Sequence, residues 1–413
     1  MTVGLLLWGA LFEVQAQPFR TEIFAEDVHT LRVAPEKQWE AAPVIGLEQN
    51  RAVVISFDVL GTASDRHYTY RIVHCNADWK KSALATHEYL GGLQDNSLTD
   101  YKPSINTTMD YVHYELMVPN KQAKLKVSGN YVVQIFEEGV DEPLLNACFS
   151  VVEHLVAVQM TISPDTDKGV KTKFQAVNFD IVYGNNHIKM LDKDLKVFVF
   201  QNNRHDNAAR FVKTTLFNPA KTTFEHNPAL IFDAGNEYRR FEMTTTQFEG
   251  MNIEAVNFAK PYYHATLRPD NFRSNGVYAF SDDLNGKVMI RNKDAKDSNC
   301  EADYEFVHFA LPCPQPLPDK VYILSEAFNN LLNSRSEVVY DEGAGGYFAD
   351  VLLKQGYYNY MYVTQSKPTA AAQTAPIEGD YYQAANEYSV LVYARMPGKQ
   401  YDQLVGFQTI GGF

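Results

Sequence analysis

Short segments in which apolar and polar residues alternate recur along the whole 413-residue chain, whereas helical periodicity is scarce. Clear examples lie at 52–57, 68–73, 131–136, 196–200, 358–363 and 388–393. Phe and Tyr, with 25 copies of each, fill many of these positions. A period of two with aromatic and β-branched residues is typical of half-buried β-strands. The pattern therefore predicts an all-β protein built from tandem antiparallel β-sandwich domains of immunoglobulin-like type.

Two breaks in the strand pattern predict three domains. Around 153–158 one set of strands ends and another begins, and residues 311–318 contain four prolines, which do not fit a central strand. The predicted division is a first β-sandwich at 17–153, a second β domain at 154–311 and a C-terminal domain at 317–413. Each segment is close in size to a β-sandwich domain.

The first residues and the net charge indicate an exported protein that does not bind nucleic acid. Residues 3–12 are apolar and precede a small residue at Ala16, which predicts a signal peptide at 1–16. The chain carries a formal charge of −13, which argues against nucleic acid or an anionic membrane as its main partner. No later stretch is apolar for long enough to predict a membrane-spanning helix in the mature chain.

The four cysteines leave several pairings open. Cys300 and Cys313 are close in sequence and could form a disulfide in an oxidising compartment, or both could remain free thiols. Cys75 and Cys148 are a second possible pair. A zinc site is a less favoured alternative, with a ligand set drawn from this list: Cys300, Asp303, His308 and Cys313.

Motifs for catalysis or cofactor binding are missing from the sequence. It contains no GxSxG, GxGxxG, P-loop or HExxH pattern. The glycine-rich segment 343–346 precedes a predicted strand and not a helix, so we interpret it as a turn. Acidic turns such as 165–167 lack the full spacing of a calcium loop. We therefore expect neither an enzyme nor a bound cofactor or metal.

Two polar loops that follow predicted strands are candidates for partner recognition. The first contains Asn76, Asp78 and Trp79, and the second contains Arg204 and Asp206. Asn and Asp can cap loops, Trp offers an apolar face, and Arg can clamp a carboxylate or carbonyl oxygens. For the first loop the sequence favours a structural role over a recognition surface. For the second loop, a brace of the fold and a partner contact are equally open.

The polar and aromatic segments resemble the plug protein family of the bacterial type IX secretion system. The most specific is the run His-Cys-Asn-Ala-Asp-Trp at 74–79. Weaker segments occur in the expected order along nearly the whole chain, at 88–90, 100–101, 111–114, 128–131, 201–207, 236–241, 300–304, 379–382, 387–388 and 401–402. The resemblance implies a periplasmic, multi-domain β protein without catalytic residues. Its implied partner is the large outer-membrane β-barrel translocon, whose periplasmic opening it would block.

A second hypothesis is carbohydrate binding by the C-terminal domain. Its strand pattern resembles the immunoglobulin-like early-set domains that flank starch-active enzymes, several of which bind glycans through exposed aromatic residues. Tyrosines at five positions could form such a platform: Tyr357, Tyr358, Tyr360, Tyr381 and Tyr382. In an alternating strand, however, half of these side chains must face the core.

Overall fold

The computed structural model describes residues 18–49, 51–61, 66–183, 195–218 and 220–411. The predicted signal peptide at 1–16 lies outside the described residues. In the described ranges, no helix has both the length and the apolar character needed to cross a bilayer. The described elements are almost all strands, and most neighbouring strands pair antiparallel, so the all-β prediction is confirmed.

The first unit is a sandwich of two sheets around one apolar core. Its elements are β1 (Glu22–Ile23), β2 (Val28–Pro35), β3 (Val44–Gly46), β4 (Val53–Leu60), β5 (Tyr68–Cys75), α1 (Thr86–Tyr89), β6 (Leu90–Gly92), β7 (Asp95–Leu98), β8 (Tyr101–Pro103), β9 (Tyr111–Val118), β10 (Ala123–Leu125), β11 (Gly129–Glu137) and β12 (Leu145–Val152). One sheet has the order β2-β4-β9-β8, and the other contains β12-β11-β5-β7. Buried aromatic rings from both sheets, including Phe57, Tyr114 and Tyr131, meet in the core.

The second unit starts with a sheet that runs β13-β16-β20-β19, with β21 also paired to β16. Its first elements are β13 (Ala157–Ser163), β14 (Asp165–Thr166), β15 (Gly169–Val170), β16 (Phe174–Val182), β17 (Leu195–Gln201), β18 (Ala209–Arg210), β19 (Leu216–Phe217), β20 (Lys221–Phe224), a short 3-10 helix (Pro228–Leu230) and β21 (Ile231–Asp233). Alternate residues of β16, such as Val177, Phe179 and Ile181, are buried against the core.

The third unit follows directly along the chain. Its elements are β22 (Arg239–Met243), β23 (Ile253–Ala259), β24 (Tyr262–Leu267), β25 (Val288–Ile290), α2 (Ser298–Glu301), β26 (Tyr304–Pro312), β27 (Lys320–Leu324), a 3-10 helix (Glu326–Phe328), β28 (Glu337–Asp341), β29 (Gly346–Lys354) and β30 (Gly356–Gln365). They form a sheet of order β22-β30-β27-β28-β29-β26-β24-β23, with β25 on β30. Its core includes Phe241, Val307, Phe309 and Tyr362.

The last two strands return to the second unit. They are β31 (Glu387–Ala394) and β32 (Gln403–Gly411). β31 pairs with β17 along its whole length, and its Tyr388 and Val390 are buried in the core of the second unit. β32 meets β12 of the first unit in parallel at Val152 and Leu404, so one sheet extends through both units.

These pairings depart from the predicted boundary at 311–317. β26, which ends at Pro312, pairs with β29, and Leu311, Cys313 and Val321 share one core. The third unit therefore spans both sides of the boundary, and the end of the predicted 317–413 domain belongs to the second unit. Pro312 is the last residue of β26, and the other three prolines occupy the turn between β26 and β27, where no ladder donor is needed.

Of the two alternatives for Cys300 and Cys313, a disulfide or free thiols, the structure has free thiols. All four cysteines are buried free thiols. The nine residues of β26 lie between Cys300 and Cys313, and an extended strand of that length separates them by roughly 30 Å. Cys75 and Cys148 lie on β5 and β12, with β11 between them, which places them about 10 Å apart. A disulfide needs Cα atoms within about 7 Å.

Denatured but unreduced protein is expected to give four thiols per chain with Ellman's reagent, because all four cysteines are free. Native protein should react far more slowly. Burial shields the sulfur atoms and raises the pKa of Cys75 to about 12, so little thiolate is present at neutral pH. A count of two thiols in the denatured, unreduced sample would contradict this structure.

Candidate functional site

The loop that carries the most specific sequence motif joins the first unit to the second. The Asn76 side-chain oxygen accepts a hydrogen bond from the Asp402 backbone amide at 3.2 Å, and an Asp402 carboxylate oxygen accepts one from the Ala77 amide at 3.2 Å. Asn130 donates to the Asn76 carbonyl at 3.1 Å and accepts from the Tyr393 hydroxyl at 2.7 Å. We call this set the first joint: Asn76, Ala77, Asn130, Tyr393 and Asp402.

A buried histidine lies next to the first joint and fixes the segments on either side of it. His74 is fully buried, with Nδ1 2.8 Å from the Ser82 hydroxyl and Nε2 3.0 Å from the Ser128 carbonyl oxygen. Burial lowers the pKa of His74 to about 4, so the ring is neutral at physiological pH. Gly129 has φ +127°, and a Cβ there would come within 2.6 Å of Nε2. The segment 128–131 therefore requires glycine at position 129.

The predicted contact residues of this loop are mostly turned inward. Trp79 is 9% exposed and packs with Val73 and Cys148 in a small core cluster of the first unit. Asn76 is engaged in the first joint, and Asp78 accepts a bond from the Lys80 amide at 3.3 Å. The loop thus braces the fold, and Trp79 does not offer the recognition surface that the sequence suggested.

The second predicted loop lies between the second and third units. Arg204 is 5% exposed and donates from Nε and Nη2 to the two carboxylate oxygens of Asp206, at 3.1 and 2.8 Å. Asp206 also accepts a bond from the Ala372 amide at 2.9 Å, and Arg204 donates to the Ala372 carbonyl. These three residues form an enclosed clamp. The prediction that Arg204 and Asp206 meet a partner is therefore replaced by an internal role.

Burial raises the pKa of the Asp206 carboxyl, but the adjacent Arg204 guanidinium outweighs that effect and holds the pKa below its usual value. Both side chains are consequently charged. An enclosed ion pair with two parallel N–H···O bonds has a fixed geometry, so it fixes the position of the Ala372 segment as well.

The chain passes between the second and third units twice. Hydrogen bonds from amide side chains hold both connecting segments in place. Gln175 donates to the Tyr382 carbonyl at 2.7 Å, and Asn386 donates to Gln175 at 2.9 Å and to the Ala234 carbonyl at 2.7 Å. Asn202 donates to the Asn386 side chain at 2.7 Å. The second joint comprises this network and the Arg204 clamp.

A buried charge cluster connects the first unit to the third. Asp58 on β4 is 0% exposed, and it accepts hydrogen bonds from Lys354 on β29 and from the Tyr304 hydroxyl on β26, each at 2.6 Å. Its second oxygen is 2.6 Å from Nδ1 of His113. Lys354 also donates to the Asn299 carbonyl at 2.6 Å. We call these residues the third joint: Asp58, His113, Asn299, Tyr304 and Lys354.

The charge on Asp58 is maintained by its partners. Burial raises the pKa of this carboxyl, whereas the Lys354 ammonium and His113 lower it by a larger amount, so the pKa lies below its ordinary value. The Lys354 ammonium also lies 4.1 Å from the centre of the Tyr111 ring. Removing either member of a buried ion pair leaves an uncompensated charge, so the two units are strongly coupled here.

Further polar contacts extend the third joint. An Asp303 carboxylate oxygen accepts bonds from the Thr108 amide at 2.8 Å and from its hydroxyl at 2.6 Å. Tyr111 donates to the Ala302 carbonyl at 2.8 Å. The segments 111–114 and 300–304, which both carry motifs of the plug family resemblance, are therefore in contact with each other. The motifs mark the places where the units meet.

The tyrosines proposed for glycan binding do not form a platform. Tyr358 and Tyr360 are each 3% exposed and belong to the core of the third unit. Tyr357 points to the opposite side of β30 and is only partly exposed, and Tyr382 is also partly exposed. Tyr381 donates hydrogen bonds to two backbone carbonyl oxygens. Nothing in this arrangement favours stacking on a sugar ring.

Sequence reasoning missed a group of aromatic side chains at the β23–β24 hairpin and the adjacent β26, with Phe258 and Tyr263 on one face of the sheet and the others on the opposite face. Phe258, which is 51% exposed, lies 4.9 Å from Tyr263 between ring centres. Phe306 lies 5.7 Å from Tyr262 and stacks on His264 at 5.3 Å. We call these five residues the aromatic tip. The period-two pattern shows aromatic residues on a strand but not which face solvent, so exposure was not predictable.

In the described ranges, no group of three or more His, Cys, Asp and Glu side chains is arranged to hold a metal ion. The candidate zinc ligands are spread along β26: Cys300 and Asp303 both precede the strand, and Cys313 follows its far end. His308, in the middle of the strand, instead bonds to Asp350 at 2.6 Å.

Comparisons with known proteins agree with this architecture. A crystal structure of a hypothetical protein from Parabacteroides merdae has a TM-score of 0.94 and 40% sequence identity, and the match covers 96% of this chain and 100% of that chain. The C-terminal domains of AspA from Streptococcus pyogenes and BspA from Streptococcus agalactiae are 9% and 8% identical. Each match covers 92% of this chain and 98% of the other, but TM-scores of 0.17 and 0.16 carry no argument. Curated proteins give no match.

The family assignment rests on the first unit. A family model described as "Type 9 secretion system plug protein 1st domain" matches residues 28–153. This range begins with β2 and ends just after β12, so it covers the sandwich core of the first unit. It also includes the 74–79 motif and the buried Asp58. Residues 28–153 therefore belong to the type IX secretion system plug protein family.

Proposed function

We propose that this protein occludes the periplasmic opening of the type IX outer-membrane translocon when no substrate is engaged, without catalysing a reaction. The observation that carries the proposal is the match of residues 28–153 to the first domain of the plug protein family. The proposed location is the periplasm, at the inner face of the outer membrane, with export directed by residues 1–16.

The three joints support this role physically. A plug has to keep its shape against a wide opening, and buried polar networks that join two parts favour one arrangement of those parts. Arg204, Asp58 and Asn130 each belong to such a network between two units. The three units therefore behave as one rigid body in this proposal.

The aromatic tip is the proposed contact with the barrel. Interface cores are enriched in aromatic residues. Phe258 is exposed near the end of the hairpin, and the other four residues of the tip are partly exposed. The predicted loop residues Trp79 and Arg204 are buried, so they do not compete with the tip for this role.

The experiment is co-purification of a tagged chain with the barrel from detergent-solubilised outer membrane. We expect the barrel in the eluate, and we expect the chain to leave the membrane fraction in a strain that lacks the barrel. Phe258→Asp should reduce recovery of the barrel several-fold. The matched control Leu216→Asp changes a residue that is 60% exposed on the second unit and should have no such effect. A chain that never recovers the barrel would contradict the proposed function, whereas equal recovery by both variants would contradict only the tip.

A further inference from the structure

A cleft of about 340 Å³ lies where the first and third units meet. The first unit contributes Leu31 and Arg32, and the third unit contributes Glu326, Leu331 and Leu352. The cleft continues into a smaller cavity of about 100 Å³, which is also lined by Phe200 and Leu391 of the second unit. Leu31, Arg32, Glu326 and Leu331 line both. All three units thus border one continuous space.

Strand β2 borders this cleft with an edge on which no other strand of the described ranges is paired. Its sheet has the order β2-β4-β9-β8, so β2 is the end strand. Residues 29–32 of β2 line the cleft. The strand contains an irregularity between His29 and Arg32, and Thr30 has φ +52°. This bulge changes the side on which Arg32 lies, in the way that bulges re-aim side chains at sheet edges.

Arg32 lacks a polar partner in this cleft. Its Nε atom is buried and has no hydrogen-bond partner among the residues that the structure describes. The guanidinium lies 5.9 Å from the centre of the Trp39 ring, a contact that gives the Nε–H group no acceptor. A buried donor without an acceptor costs free energy, so such a group calls for an explanation. A carboxylate ligand would satisfy it with paired bonds.

Glu326 supplies a negative charge to the same cleft. One of its carboxylate oxygens accepts a bond from the Val288 amide at 2.8 Å. Glu326 and Arg32 make no ion pair, although both border the cleft and the Arg32 charge acts on the Glu326 carboxyl. Burial raises the pKa of Glu326 and Arg32 lowers it, with burial the larger effect. Two opposite charges therefore flank the space without neutralising each other by contact.

We propose that this cleft binds a short peptide of about two residues with apolar side chains. Its terminal carboxylate pairs with Arg32, its amino group or amide N–H groups donate to Glu326, and its side chains pack on Leu31 and Leu331. The cavity volume of about 340 Å³ is at the small end of ligand sites, which span about 300–1,000 Å³ and combine apolar walls with a few polar groups. This inference does not depend on the proposed plug function.

Isothermal titration calorimetry of the full chain tests the proposal with three probes. Leucyl-leucine carries both charged ends, leucyl-leucinamide lacks the carboxylate, and N-acetyl-leucyl-leucine lacks the ammonium group. We expect leucyl-leucine to bind, and the amide to bind at least about tenfold more weakly because Arg32 then loses its charged acceptor. Arg32→Met should bind the acid and the amide alike. The control Arg268→Met removes an exposed arginine outside the cleft and should bind as the wild type does.

Three outcomes would overturn the proposal: no heat of binding for leucyl-leucine, equal affinities of the wild-type chain for acid and amide, or full discrimination by Arg32→Met. The comparison of acid with amide uses the wild-type chain alone, so it remains decisive even if Arg32→Met fails to fold. Loss of affinity for the N-acetyl probe would separately support the contact with Glu326, and Glu326→Gln should remove that loss.

Discussion

Replacement of Asp58 by Ala is expected to lower the free energy of unfolding by about 3–5 kcal/mol. Asp58 is 0% exposed and is the carboxylate partner of Lys354, which is 1% exposed. Without it, the Lys354 ammonium is left buried beside Tyr304 with no opposite charge. Urea unfolding followed by tryptophan fluorescence measures the change. Because Asp58 and Lys354 belong to different units, the loss should also separate the unfolding of the first unit from that of the third.

Asp95→Ala is the matched control for this prediction. Asp95 pairs with Arg71 at 2.7 Å, but both side chains are about half exposed, so its loss should cost less than about 1 kcal/mol. The double variant Asp58→Leu with Lys354→Met should recover part of the lost stability, because it removes the uncompensated ammonium. Recovery should be incomplete, because Tyr304 and His113 still lose the Asp58 carboxylate. If Asp58→Ala were as mild as Asp95→Ala, the third joint would not couple the units.

The contribution of Asp58 should also depend on pH in one direction. Its pKa in the folded chain lies below the ordinary value, which is about 3.9 in the unfolded chain. The stabilisation is therefore fully present above about pH 4–5 and is lost as the pH falls through the folded pKa. The difference in stability between the wild type and Asp58→Asn should shrink in acid. A difference that grows as the pH falls would contradict the assignment.

Replacement of Arg204 by Met is expected to cost about 3–5 kcal/mol in the free energy of unfolding, because Asp206 would remain enclosed without its cation. The Asp206 side chain is only 11% exposed and would keep a single hydrogen bond to the Ala372 amide. The variant should also release the exposed segment that precedes Ala372 from the second unit. Limited digestion with subtilisin should then cut within 366–371 much faster than in the wild type.

The neighbouring Arg210 provides the control. It is exposed and donates to the His205 carbonyl at 2.8 Å, so Arg210→Met should change the unfolding free energy by less than about 1 kcal/mol. It should also leave the digestion rate within 366–371 unchanged. Equal digestion of the Arg204→Met and Arg210→Met variants would show that the clamp does not hold this segment.

Local sequence patterns were sufficient to predict the strands but not how they are shared among units. The alternating segments at 131–136 and 196–200 lie within β11 and β17, as expected. The proline-rich segment at 311–318 indicated a domain boundary. However, prolines fit a turn between two strands of one unit as well as they fit a linker between domains. The return of β31 and β32 to the second unit depends on pairing with β17, which lies almost 200 residues earlier in the chain.

The candidate residues were found, but their role was not predictable. Arg204 and Trp79 stand in polar and aromatic loops, and such loops look alike whether they face solvent or another unit. The partners of Asp58 illustrate the reason, since Lys354 is 296 residues away in the sequence. Only the folded arrangement brings them together. The buried, unpaired Nε atom of Arg32 was likewise not predictable, because the sequence does not show whether a charged side chain has a partner.

Entry of vancomycin across the outer membrane tests the central claim most directly. The measurement compares the wild type, a strain that lacks this protein, and a strain that lacks both this protein and the translocon barrel. If the protein occludes the translocon, its loss alone should increase vancomycin entry, and removal of the barrel should return entry to the wild-type level. Unchanged entry after loss of the protein, or increased entry that persists without the barrel, would contradict the account.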